Sequence, residues 1–193
     1  MASEIVLVRH GETEWSRDGR HTGHTDIPLT EVGRAQARAL AAGLRGWSFD
    51  RVLTSPLSRA AETARLAGFG ETAALRDELR EWDYGAHEGR TTAEIREERP
   101  GWTLWRDGVP DGETAADLAA RLDRVLAELE QTEGAALVFA HGHSLRVLAA
   151  RWLGLEPGAG RLLALDPATI SVLGHERETR VLLRWNAPLG RPE

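Results

Sequence analysis

"AALVFAHGHSLRVLAARWLG", residues 135–154, decides the fold. Ala135–Ala140 is an unbroken apolar run, too short for a buried helix and bounded by polar residues, so it reads as a strand covered on both faces. The chain then passes His141-Gly142-His143 and enters "SLRVLAARWLG" (144–154), where Leu145, Leu148 and Trp152 recur at helical spacing before Gly154. A buried strand running straight into an amphipathic helix is the unit of an α/β fold.

The same unit recurs. "EIVLV" (4–8) predicts a short buried strand that ends on Arg9-His10-Gly11. "LTEVGRAQARALAAGLRG" (29–46) predicts a helix with Thr30 as its N-cap and Gly46 as its stop. "RVLTS" (51–55) predicts a second strand, and "PLSRAAETARLAG" (56–68) a helix with Pro56 in its first turn and Gly68 at its end. Two closing strands, near 169–174 and 179–184, predict a hairpin or neighbouring edge. Residues 80–112, with Trp82, Trp102 and Trp105, are weakly periodic, and a helix over 113–131 follows. The expectation is one domain over 1–193: a three-layer α/β/α sandwich with a mostly parallel central sheet, and 80–131 as a small lid insertion.

Composition narrows the chemistry. The 193 residues contain no cysteine, which excludes disulfides, thiolate nucleophiles and cysteine-ligated metals. All 24 basic residues are arginine, which excludes Schiff-base lysines and the Walker A lysine. The net charge of −6 argues against a general nucleic-acid binder, which needs a basic face. Local arginines can still draw a small anion into a pocket. No apolar run reaches the ~20 residues of a membrane span, and "MASEIVLVRH" lacks a signal peptide's basic start. Cytoplasmic residence is the expectation.

Sites in such sheets lie beyond the C-terminal ends of parallel strands. Three ends carry chemistry: Arg9-His10-Gly11; Thr54-Ser55-Pro56, with Arg59 one turn into its helix; and His141-Gly142-His143, with Arg146 one turn into its helix. Each residue alone has a plain reading. A strand-end histidine is more often a satisfied polar residue, Arg59 can pair with Glu62 or Thr63, and Arg146 can face solvent. Together they suit phosphoryl transfer: an imidazole nucleophile, flanked by guanidiniums that stabilise the transferring oxygens. The Gly11 carbonyl could hold Nδ1–H so that Nε2 faces the substrate. "LREWDYGAHEGR" (79–90) offers Glu81 and Asp83 as proton donors. Burial beside aromatic rings and a phosphate would keep such a carboxyl protonated.

"LVRHGETEW" resembles the signature of the histidine phosphatase superfamily, which includes the cofactor-dependent phosphoglycerate mutases. "GRHTGHTDIPLTEVGRAQA" (19–37), "LTSPLSRAAETA" (53–64), "LREWDYGAHEG" (79–89) and "FAHGHSLRVLA" (139–149) match family blocks in order. The resemblance implies a phosphoglycerate mutase-like fold and His10 as the nucleophile, phosphorylated at Nε2. Arg9, Arg59 and His141 would complete the phosphate pocket, and Glu81 would serve as acid and then base. It also implies substrate contacts at Gly11, Ser16, Thr22, Gly23, Tyr84, Gly142 and His143. Ser16 departs from the asparagine usual in mutases. No cofactor or metal is implied; the partner is a small phosphorylated metabolite, with no nucleic acid and no membrane. Many relatives form homodimers, and no apolar stripe here decides that.

"LREWDYGAHEG", "WRDGVPDGET" (105–114) and "FAHGHSLR" are similar to the sedoheptulose-1,7-bisphosphatase branch and its bacterial acid-phosphatase-like relatives. The paired basic residues of a mutase lid are not evident, since Arg90, Arg96 and Arg99 are scattered among acids. The 60 positions from Glu81 to His141 also leave only a modest lid, where a mutase must hold its phosphoenzyme away from water. Both points favour hydrolysis over mutase-type transfer, and the branch resemblance extends the substrates to sugar bisphosphates. Two rivals from other classes stay open: a metal enzyme using "HGH" and "HTGH" (21–24) as ligand pairs, and a binding protein that keeps the fold without catalysis. His21, His24 and His87 read as solvated loop residues or as shapers of substrate choice. Trp105 and Arg106 read equally as a sugar and second-phosphate site or as lid packing.

Overall fold

The computed structural model describes residues 3–188. In chain order its elements are β1 (Ile5–Arg9), α1 (Glu14–Arg17), α2 (Glu31–Gly43), β2 (Phe49–Thr54), α3 (Ser58–Ala64), β3 (Ala74–Leu75), α4 (Thr92–Glu98), α5 (Leu104–Asp107), α6 (Ala115–Glu130), β4 (Ala135–Ala140), α7 (Gly142–Trp152), β5 (Ile170–Glu176) and β6 (Thr179–Ala187). The strands form one sheet in the order β3-β2-β4-β1-β5-β6. β1, β2 and β3 are parallel to their neighbours through β4, while β5 runs antiparallel to both β1 and β6. The expected hairpin is β5–β6.

Strand geometry sends alternate side chains to opposite faces. Val6, Val8, Leu137 and Phe139 pack with Leu40 and Leu44 below α2 and with Ala64 of α3. Ile5, Leu7, Ala136 and Val138 pack with Leu122 and Leu126 of α6 and Leu145 and Leu148 of α7. These leucines are at most 5 % exposed, and each contributes about 1.5–3 kcal/mol by leaving water. The sandwich therefore has a core on each side of the sheet. Among the described residues, no helix is long and apolar enough to cross a membrane.

Several boundaries differ from expectation for local reasons. Thr30 caps α2 through Gly33 N–H (3.0 Å), but the helix ends at Gly43, and Gly46 lies in the turn beyond. Pro56 precedes α3 rather than opening it. Ser55 Oγ accepts the Leu57 N–H (3.3 Å), and that turn delays the helix to Ser58. The chain continues past α3 as a π-type turn, Arg65–Phe69, in which Gly68 takes φ +97°. α6 starts at Ala115 because Thr114 forms a capping box with Asp117.

Residues 80–112 are more ordered than their pattern suggests, because α4 and α5 are too short to show a period. Trp82 and Trp102 are buried, and their indole N–H groups donate to Glu113 O (2.7 Å) and Gly108 O (3.0 Å). Both rings join the core on the α6–α7 side of the sheet.

Candidate active site

The parallel register assembles the site. Arg9 sits beside Ala140, and Thr54 beside Phe139. One residue further on, each strand leaves the sheet: His10, His141 and Ser55 are thus brought together at one edge. His10 N–H still donates to Ala140 O and Ser55 N–H to Phe139 O, each at 3.0 Å. The His10 and His141 rings lie 5.1 Å apart, tilted by 63°.

His10 is buried and lines a cavity of about 400 Å³. Its Nδ1 is 2.7 Å from Gly11 O. A carbonyl can only accept, so Nδ1 carries the proton and Nε2 keeps its lone pair. Burial, and then the charges of Arg59 and Arg9, hold the imidazole well below its usual pKa. The ring is therefore neutral near pH 7. Gly11 is required by a close crossing: a Cβ there would collide with Gly33 O of α2, and one on Gly33 would collide with Glu12 O.

Arg9 lines the cavity and donates to Leu165 O. Its Nε is buried and has no hydrogen-bond partner among the described residues. Arg59 is fully buried and lies behind the cavity wall. Its Nε–H donates to His141 Nδ1 (3.2 Å), and its terminal nitrogens donate to Thr25 O (3.0 Å), Thr22 O (3.1 Å) and Gly23 O (2.9 Å). It pairs with neither Glu62 nor the Thr63 side chain; Thr63 instead donates back to Arg59 O. Because Arg59 is an obligate donor, His141 Nδ1 must be the acceptor, and His141 Nε2–H faces Ser55 Oγ at 2.8 Å. Burial first, then Arg59, keeps His141 neutral.

Glu81 reaches the same place from the segment after β3. Its carboxylate accepts Trp82 N–H (2.9 Å), His143 N–H (3.0 Å) and Ser144 N–H (2.8 Å), so it sits against the head of α7. Its surroundings are therefore backbone N–H groups as much as the aromatic rings expected from the sequence. Arg121 of α6 ties down the turn behind it, donating to Glu78 O, Arg80 O and Glu81 O and pairing with Glu113.

The other expected contacts divide. Ser16, Thr22, Tyr84, Gly142 and His143 line the cavity. Ser16 Oγ is also engaged in the capping box of α1 with Thr13. Gly23 lies off the cavity lining, where its N–H donates to the Glu88 carboxylate (2.9 Å) and a Cβ would meet Trp82 O at 2.6 Å. Gly11 packs on Gly33 instead of lining the space.

Several readings left open by the sequence are decided by where the side chains lie. Arg106 pairs with Asp107 on the exposed side of α5, so it does not reach the site. His87 is buried against Trp102 (5.1 Å between rings) instead of solvated. His24 is exposed beside Asp83, whereas His21 lines the cavity. Arg146 does not face solvent. It stacks over Trp105 at 4.8 Å, and both line the cavity with Arg20 and Arg96. Ser55 was named only as part of a strand end; Arg20, Arg96, Glu88 and Arg121 were missed, because nothing in the local pattern separates them from ordinary surface residues.

The model of the Histidine phosphatase superfamily (branch 1) matches residues 5–188. An acid phosphatase of Mycobacterium tuberculosis is 41% identical over 184 residues, covering 92% of this chain and 89% of that protein. Sedoheptulose 1,7-bisphosphatase of Saccharomyces cerevisiae is 41% identical over 188 residues, covering 80% of this chain and 69% of its own. The solved structure of an open reading frame product of Mycobacterium tuberculosis superimposes with a TM-score of 0.91 at 38% identity, covering 97% of this chain and 98% of that one.

Proposed function

The chain belongs to the histidine phosphatase superfamily (branch 1), and we propose that it hydrolyses phosphomonoesters of small metabolites in two steps through His10. The observation that carries this is the state of His10: buried, neutral, with Nδ1–H tied to Gly11 O and Nε2 left at the cavity. A neutral, oriented imidazole beside an unpartnered guanidinium nitrogen is an activated nucleophile facing an anion site.

In the first step Nε2 attacks phosphorus, the ester P–O bond breaks, and Glu81 gives a proton to the departing oxygen. In the second, Glu81 takes a proton from water, the oxygen attacks phosphorus, and the P–N bond breaks to release phosphate. Arg9 steadies the equatorial oxygens. Arg59 and His141 act from behind as the frame of the pocket, and reach phosphate only by exchanging the partners they now hold. The segment 80–131 is the lid of this site within a single domain over 1–193. The proposal extends to sugar bisphosphates: Arg20, Arg96 and Arg146 stand along the cavity, where a second anionic group would be held. It also keeps the protein in the cytoplasm, and sedimentation tests the homodimer that the family resemblance suggests.

His10→Ala tests the reading. Turnover should fall by several orders of magnitude on every phosphomonoester, with the fold intact. Near-wild-type turnover overturns it. The mutase alternative is separated by incubation with 3-phosphoglycerate and a bisphosphoglycerate primer: hydrolysis releases phosphate, and transfer gives the isomer.

A further inference from the structure

Beside Glu81 lies a pair of side chains that the two-step reaction does not use. Tyr84 Oη and His143 Nδ1 are 2.6 Å apart. Tyr84 is buried in the core cluster, and its hydroxyl has no other hydrogen-bond partner among the described residues. His143 lines the cavity, and its ring is wedged between Trp105 (5.3 Å between centroids) and Trp82 (6.1 Å, at 87°). Its backbone N–H donates to Glu81, which places the residue on the side where the leaving group departs.

We propose that Tyr84 locks His143 into the Nε2–H tautomer, making His143 a donor to an acceptor oxygen on the substrate carbon next to the scissile ester. This inference rests on the phosphatase reading and adds the class of leaving group: one carrying a carbonyl, carboxylate or phosphate oxygen at that point.

The argument is one of proton counting. Tyr84 is 2% exposed at the cavity wall, and His143 Nδ1 is the one hydrogen-bond partner of its hydroxyl among the described residues. A proton given to that nitrogen is satisfied within the wall, whereas an Nδ1–H tautomer would leave the Tyr84 O–H to whatever fills the cavity. Burial, and then the charge of Glu81, keeps the Tyr84 hydroxyl protonated, so the proton is there to give. Burial, and then Arg146, keeps His143 neutral, so only one ring nitrogen can carry hydrogen. With Nδ1 accepting, that nitrogen is Nε2, which has no protein partner among the described residues. The other groups on this flank agree. Arg146 and Arg96 spend Nε on Gly160 O and Trp102 O, and both residues line the cavity. A wall of donors recognises acceptors. A free tautomer would serve a substrate hydroxyl equally well from either nitrogen state, so a lock has a consequence only for an oxygen that cannot donate.

Two measurements test this. Nitrogen-15 spectra of histidine-labelled protein should show His143 wholly in the Nε2–H form, and Tyr84→Phe should turn it into a mixture of tautomers. Hydroxyacetone phosphate and propyl phosphate then differ at one carbon, a ketone against a methylene. Their intrinsic difference in leaving ability cancels when the kcat/KM ratio is compared between variants. That ratio should fall about tenfold in His143→Phe, the size of one lost hydrogen bond. It should recover in part in His143→Gln, which keeps a donor, and Tyr84→Phe should add nothing in the His143→Phe background. An Nδ1–H tautomer in the wild type, or an unchanged ratio in His143→Phe, overturns the proposal. So do additive losses, which would mean that Tyr84 acts directly. Failure of the phosphatase reading looks different: neither ester is then hydrolysed by the wild type through His10.

Discussion

Ser55→Ala removes a single oxygen, yet it disturbs the frame of the whole site. Ser55 Oγ accepts His141 Nε2–H at 2.8 Å and Leu57 N–H at 3.3 Å. Ser55, His141 and Arg59 are each 0% exposed, so no bulk water replaces the lost acceptor. His141 cannot escape by changing tautomer, because Arg59 Nε–H already occupies Nδ1. A buried donor left unsatisfied costs about 1–3 kcal/mol; with the long Leu57 bond counted at the low end, the two give about 2–4 kcal/mol. For a chain of this size that is a fall in Tm of roughly 4–16 °C. Urea unfolding at pH 7.5 should show the midpoint lowered with the slope unchanged. In a His141→Phe background, which has no ring N–H, Ser55→Ala should cost only the Leu57 share, about 1 kcal/mol. A loss under about 0.5 kcal/mol in the wild type, or equal losses in both backgrounds, refutes the proton assignment around His141.

Three further outcomes are expected. Glu81→Gln should slow sugar and alkyl phosphates far more than aryl phosphates, whose leaving groups need no proton; equal losses on both, by steady-state kinetics, reject Glu81 as the acid. Stability should fall with acid: burial holds His21 at about 4, below its unfolded value near 6.5, so the unfolded chain gains a proton first as the pH drops. The penalty is absent above 6.5 and grows to about 3 kcal/mol from His21 by pH 4, with His10, His141 and His143 acting in the same direction. Urea midpoints at pH 7.5 and 5 check it, and a flat profile contradicts it. Arg121→Gln strands Glu113 and frees three carbonyls behind Glu81, so it should cost about 3–5 kcal/mol and lower kcat more than it raises KM. Unchanged kcat would show that the Glu81 turn needs no such anchor.

Much of this was legible in one dimension. A run such as Ala135–Ala140 buries both faces of its strand, and the helix over 144–152 is buried at every position but Arg146 and Arg151; both follow from water alone. The strand ends at His10 and His141 followed from the same reading, and four ordered blocks marked the family. Short elements were not legible. α4 and α5 hold only 7 and 4 residues, less than a period needs, and their place is set by Trp102 and Trp82 finding carbonyl partners. Arg106 and Arg146 look alike in sequence, yet one pairs with its neighbour Asp107 and the other is drawn over Trp105.

The chain alone thus determined the longer strands and helices, and which reactive residues close them, because hydrophobic periodicity and capping are local. Proton positions were decided only in three dimensions. His10 keeps its lone pair because Gly11 O takes Nδ1–H, and His141 loses its choice because Arg59 arrives from another helix. A tautomer depends on which donor or acceptor lies within 3 Å or so, and that partner is 82 residues away in the case of Arg59 and His141.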